Sequence, residues 1–188
     1  MNRRTFSLAS TVLLAALATA LTGPVSAQDA ASGQPILTIA GNIAEANRPA
    51  FNEFNDAYLK FREKSFDKAY EFTLESLQAL PQKTITAQAE KWPGPVELTG
   101  PSLVDVMAAA GASAGAVNVT ALDGYAITYP AEEIAAHDWI LAWSANGKPL
   151  SIGGRGPLWL IHSSGGTPAA DDVEARWIWS VFVIETAS

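Results

Sequence analysis

Asn146-Gly-Lys-Pro-Leu-Ser-Ile-Gly-Gly-Arg-Gly-Pro-Leu-Trp-Leu-Ile161 decides how this chain is read. Asn146-Gly147 is a two-residue hairpin signal, because the favoured tight turn needs positive φ at both central positions. Glycines 153, 154 and 156 then bracket Arg155, and the stretch ends in an apolar strand, 158–161. Backbone N–H groups of such a loop, with the Arg155 fork and Trp159 beside it, suit a flat heterocycle carrying an anionic tail. The same glycines also serve a purely geometric use at a hairpin end.

A second hairpin signal, Asp123-Gly124, joins strands expected at 117–122 and 126–129. Further strands are read at 36–39, 71–74, 84–86, 96–98, 139–143, 149–152 and 177–184, the last placing Trp177 and Trp179 on one side. Short helices are expected at 74–80, stopped by Pro81, at 101–110 and at 131–136. Ser102 with Asp105 resembles a capping box, and Gly111 suits the helix end. Residues 92–95 and 165–172 read as loops. Asn47 is read as the cap of a longer helix, with Pro49 in its first turn. Phe51, Phe54, Tyr58 and Phe61 then share one face, expected to pack on the core; the alternative is an aromatic lid over a ligand or a partner surface. Many short strands segregated from a few short helices predict an α+β fold.

Residues 1–27 read as a signal peptide: Arg3-Arg4 precede an apolar run, and Val25-Ser26-Ala27 is a small-residue cleavage site. Arg3-Arg4-Thr5-Phe6 partly matches a twin-arginine signal. Residues 28–188 are then a single domain, placed in the periplasm. The chain has no cysteine, which excludes disulfides, thiol nucleophiles and thiolate metal sites. A formal charge of -7 argues against a nucleic-acid partner. The two histidines, His137 and His162, are far apart in sequence, and a solvated loop position is expected for His162. No G-x-S-x-G elbow, P-loop or paired-histidine motif is present, so no catalytic residue is assigned. Core packing is the expected role of most of the six tryptophans, with Trp92 and Trp177 the candidates for stacking on a ligand.

Several segments in order resemble the oxidoreductase molybdopterin-binding (sulfite oxidase-fold) superfamily. They are Phe72-Thr-Leu-Glu-Ser-Leu-Gln-Ala-Leu-Pro81, Leu98-Thr-Gly-Pro-Ser-Leu-Val-Asp-Val-Met107 with Gly111, Asp123-Gly-Tyr125 with Pro130, and 141–150. The resemblance spans 36–185, with a helical insertion near 47–68. It implies a sulfite oxidase-like fold. It also implies a molybdenum-ligating cysteine near the end of the strand after the Ala-Leu-Pro segment, where this chain reads Thr84-Ile-Thr-Ala-Gln-Ala89. Tyr125 maps to a residue lining the family's active site, and Arg155 before Gly156-Pro157 maps to a basic residue contacting the cofactor. Arg155-Gly-Pro-Leu-Trp159 with Trp177-Ile-Trp179 is similar to a cysteine-less branch that includes periplasmic pterin-binding proteins. That branch implies a partner: the periplasmic part of an inner-membrane diguanylate cyclase or phosphodiesterase.

Three functions from different classes follow. The first is a non-catalytic binder of a pterin or molybdopterin-like ligand, with no metal expected. Its cleft would be formed by Arg155, Gly156, Tyr125 and Trp92 or Trp177. Asp123 either pairs with the donor edge of the ring or only shapes its turn. The second is a molybdopterin-dependent oxidoreductase lacking the cysteine ligand. The third is an interaction protein that docks through the Phe51–Phe61 aromatic face.

Overall fold

A computed structural model describes residues 33–112 and 115–186; the expected signal peptide lies outside them. The elements run β1 (Pro35–Gly41), α1 (Ala57–Phe61), β2 (Ala69–Thr73), α2 (Leu74–Gln78), β3 (Gln82–Ala87), β4 (Val96–Pro101), α3 (Leu103–Ala109), β5 (Val117–Ala121) and β6 (Ala126–Tyr129). They continue α4 (Ala131–Ala136), β7 (Ile140–Ala142), β8 (Ser144–Ala145), β9 (Lys148–Pro149), β10 (Trp159–Ile161), α5 (Asp171–Glu174), β11 (Ile178–Trp179) and β12 (Val181–Thr186). This is the α+β arrangement that the strand-rich pattern implies.

Strands β2-β1-β12-β5-β6 form one sheet, β3-β4-β8-β9 a second and β11-β10-β7 a third. β1 pairs in parallel with β12 and antiparallel with β2, so it is central and has four consecutive buried residues, Leu37 to Ala40. A strand covered on both faces loses the apolar-polar alternation. Both hairpin signals form turns as expected: Asn146 and Gly147 take φ of 48° and 72°, and the Asp123 carboxylate accepts the Tyr125 amide at 2.9 Å. The third sheet lies against the second where β4 meets β7. A Cβ on Gly100 would sit 2.0 Å from the Leu141 carbonyl oxygen, so only glycine permits that approach.

Ser102 caps α3 by accepting the Asp105 amide at 3.0 Å, but the Asp105 carboxylate takes the Ser102 hydroxyl rather than its N–H. The reciprocal box forms instead at α2, between Thr73 and Ser76.

Four segments depart from the sequence reading. The strand read at 149–152 ends at Pro149 as β9, and Ile152 stands exposed in the turn that follows. Between Asn47 and Phe61 only α1 is helical. Asn47 does not cap it; its side chain exchanges hydrogen bonds with the backbone of Glu71, pinning the edge of β2. Arg48 reaches Thr38, Asp56 and Glu71, tying the segment to β1 and β2. The residue that packs inward is Leu59, while Phe54 and Phe61 are 89% and 73% exposed, so the aromatic face is not a core face. One helical turn cannot stand on periodicity alone, and tertiary anchors set its orientation. Residues 177–184 are not one strand, because Ser180 at φ 59° breaks them into β11 and β12, in different sheets. Residues 165–172 are not wholly loop: Ala169 is buried and bridges Ala89, and α5 begins at Asp171.

Gly100→Ala should lower unfolding stability by about 1–3 kcal/mol, the usual cost of overpacking, as read by denaturant midpoint. An unchanged midpoint would mean that β4 and β7 are not closely apposed.

Candidate functional site

Three indoles form the frame of the site. Trp159 opens β10, Trp177 lies between α5 and β11, and Trp92 comes from the loop after β3. The Trp92 ring is 5.3 Å from that of Trp159 and 5.6 Å from that of Trp177. Its Nε1–H donates to the Glu174 carboxylate at 2.6 Å, a charge-assisted bond that fixes the loop on α5. Lys91 reinforces it through an exposed ion pair with Asp171. The Arg155 guanidinium lies 4.5 Å from the Trp159 ring centroid and 5.2 Å from that of Trp92. No protein acceptor among the described residues takes its N–H groups, so the fork stays available in an exposed position.

Two clefts adjoin this frame. The first, about 510 Å³, is lined by Trp92, Trp159 and Leu150 with Lys91, Lys148 and Arg155, and no carboxylate lines it. The second, about 500 Å³, is lined by Tyr125, Trp177 and Trp179 with Asp123, Asp171 and Glu174. Lys91 lines both. In a chain of charge -7, the first cleft is a local positive patch suited to an anion.

The residues selected from the sequence are therefore distributed. Arg155 and Trp92 share the basic cleft, and Asp123, Tyr125 and Trp177 share the acidic one. Gly156 is buried, and a Cβ there would lie 2.4 Å from the Leu150 carbonyl. The amides of Gly154 and Gly156 both donate to the Ser151 carbonyl, so those two N–H groups are not open to an anion as the sequence reading had them. Glu174, Lys91 and Lys148 were not singled out. Lys91 and Lys148 adjoin Trp92 and the Asn146-Gly147 turn in sequence, whereas Glu174 lies 82 residues from the indole it holds.

His162 is not a solvated loop residue. It is 8% exposed, stacked on His137 with ring centroids 4.2 Å apart, and set edge-on to Trp139 and Trp177. Its burial holds the imidazole pKa below its ordinary value, and the neighbouring His137 lowers it further. Two histidines remote in sequence thus meet beneath the acidic cleft's Trp177.

The strand order and short helices are those of a sulfite oxidase-like domain. A model of the oxidoreductase molybdopterin binding domain matches residues 53–185, and the chain belongs to that family. Among solved structures, the sulfane dehydrogenase SoxCD from Paracoccus pantotrophus is similar at 19% identity and a TM-score of 0.53. The match covers 80% of this chain and 37% of that one, so the likeness is one of fold over a minority of the larger protein. No curated protein matches the chain.

The family's cofactor joins a pterin and an anionic phosphate to a metal. The organic part fits the residues present, because Arg155 and two lysines face a cleft walled by indoles. The metal's protein thiolate does not fit, because the chain has no cysteine. Ala87 and Ala89, at the end of β3 where the resemblance places that ligand, are fully buried. Among the described residues no three His, Asp or Glu side chains converge to replace it.

Glu174→Leu should cost about 1–3 kcal/mol by leaving the Trp92 N–H without its acceptor, and should shift the tryptophan emission; Glu174→Gln should retain most of both. Identical emission in all three proteins would dissociate Glu174 from Trp92. For His162, the unfolded chain takes up a proton below about pH 6.5 that the folded state resists, so stability should fall as pH drops through that range. His162→Phe should flatten this part of the stability-pH curve; an unaltered slope would assign it to other groups.

Proposed function

We propose that this protein is a periplasmic pterin-binding protein that performs no molybdenum redox chemistry. The carrying observation is the Arg155 guanidinium over the Trp92 and Trp159 rings, in a cleft whose charged residues are all cationic. An indole face gives a heterocycle a stacking surface of about 0.5–1.5 kcal/mol beyond burial. The free guanidinium fork gives an anionic tail paired hydrogen bonds. The lack of any cysteine supports binding rather than turnover, since the family resemblance routes redox chemistry through a thiolate-held metal. Periplasmic location is supported by the signal-like pattern of residues 1–27. Relay of pterin occupancy to the periplasmic part of an inner-membrane diguanylate cyclase or phosphodiesterase is supported by similarity to the cysteine-less branch.

Membership of the oxidoreductase molybdopterin binding domain family favours a second reading: an oxidoreductase whose molybdenum is held by the cofactor's own sulfurs. Purification from the periplasm of a molybdenum-replete host separates the two. Pterin fluorescence and mass without metal support the binder, whereas stoichiometric molybdenum overturns it.

Arg155→Ala should weaken pterin binding about tenfold or more, the value of a charge-assisted hydrogen bond, at an unchanged unfolding midpoint. Unaltered affinity in a fluorescence titration would remove Arg155 from the site.

A further inference from the structure

We propose that an exposed aromatic belt, running from the insertion to the acidic cleft, docks a cationic segment of another protein in which arginine or lysine alternates with apolar side chains. The belt does not include the basic cleft, and it holds whether or not a pterin occupies that cleft. It gives the face and the chemistry of a protein contact that the relay reading leaves open.

The belt is continuous. Tyr58 and Arg62 both donate to the Leu122 carbonyl, which brings the insertion onto the Asp123-Gly124 turn. A Cβ on Gly124 would fall 2.4 Å from the Arg62 guanidinium, so insertion and turn touch there. Tyr125 follows that turn and lines one cleft with Trp179. Tyr58, Tyr125 and Trp179 are 43%, 52% and 45% exposed, and Phe54 and Phe61 more so. Apolar residues scattered singly on a surface need no explanation, whereas linked ones mark a binding surface. These rings are also held in place. The Arg62 guanidinium lies 5.3 Å from the ring centroids of both Tyr58 and Phe61, and the Tyr58 ring packs on Phe182 at 5.4 Å. The Tyr125 hydroxyl donates to the Ala175 carbonyl at 3.3 Å. Anchors already ordered lose little freedom on binding, and Trp, Tyr and Arg are the residue types that carry most interface energy.

Charge selects the occupant. Asp123, Asp171 and Glu174 line the cleft that Tyr125 and Trp179 share, against one cation, Lys91, itself paired with Asp171. The whole chain carries -7. A second copy docked through the same face would oppose two acidic clefts, and an anionic lipid surface would be repelled likewise. A segment carrying arginine or lysine is attracted on two counts. The carboxylates accept its N–H groups, and the half-exposed rings of Tyr125 and Trp179 take a guanidinium by cation–π contact. Its apolar side chains cover Phe54 and Phe61.

The probe is a short fluorescein-labelled peptide alternating arginine with leucine. Two controls carry glutamate in place of arginine or serine in place of leucine. In anisotropy titrations the protein should bind the first about tenfold or more tightly than either control, and added salt should weaken it. Phe61→Ser and Trp179→Ser, at unchanged circular dichroism, should each cost about tenfold or more, the loss expected of an aromatic anchor. Phe61→Ser should leave the affinity for pterin-6-carboxylate as it is; a changed one overturns the separation of belt from basic cleft. A control peptide bound as tightly as the first overturns the proposal, as does affinity that survives in a folded Phe61→Ser/Trp179→Ser double variant. A wild-type dimer that this variant dissociates in sedimentation overturns it in favour of a second copy. Binding to phosphatidylglycerol vesicles that this variant loses overturns it in favour of a membrane. Failure of wild type to bind the pterin overturns the pterin reading and leaves the belt standing.

Discussion

Ser180 is the constraint on which the site depends. Its left-handed backbone costs a non-glycine residue roughly 1–2 kcal/mol. Two backbone bonds offset it: the Ser180 N–H donates to the Arg155 carbonyl at 3.0 Å, and its carbonyl accepts the Leu122 N–H at 2.9 Å. The break passes the chain from the three-stranded sheet to the five-stranded one. It sets Trp177 inward, leaves Trp179 half out, and holds the Arg155 backbone while its guanidinium rests on two indoles. The Leu122 bond draws the Asp123-Gly124 turn to the same point, so both clefts share one pivot. The insertion reaches it too, because Tyr58 and Arg62 donate to the Leu122 carbonyl.

Around that pivot, opposite charges stand side by side. Three cations line one cleft and three carboxylates the other, with Lys91 common to both. The Lys91–Asp171 pair is solvent-exposed and worth little by itself. The Trp92–Glu174 bond is half-buried and carries more, since an indole N–H left unpaired there is costly. Chemistry in the family runs through a ligand this sequence lacks. What the chain keeps is a cleft with three cations, with the Arg155 guanidinium over two indoles.

Much of the fold is legible because its signals are local. Asn146-Gly147 and Asp123-Gly124 demand turn geometry wherever they occur, and Pro130 before 131–136 sets a helix start in place. The misread segments are those decided by distant partners. Helical spacing from Phe51 to Phe61 is real, yet Arg48 and Asn47 are claimed by β1 and β2, and Leu59 is what packs. Nothing local in Trp177-Ile-Trp-Ser-Val181 announces a left-handed serine; the requirement comes from Arg155 and Leu122. For the candidate site, the sequence supplies residue types but not their division between two clefts. Arg155, Trp92, Asp123, Tyr125 and Trp177 were all visible, but which share a wall depends on how β10, β11 and α5 pack. His137 and His162 needed the same packing to meet.

The central strand pairing has a temporal side. Parallel β1 and β12 are joined across nearly the whole domain, as in the Thr186 hydroxyl donated to the Ala40 carbonyl 146 residues away. Such a contact forms late, because closing so long a loop costs entropy before any pairing offsets it. Until β12 leaves the ribosome, β1 and β5 each present an edge with no neighbour between them. Bare strand edges invite intermolecular pairing. Until β12 docks, those two edges are where a partly folded chain is most open to pairing with another copy.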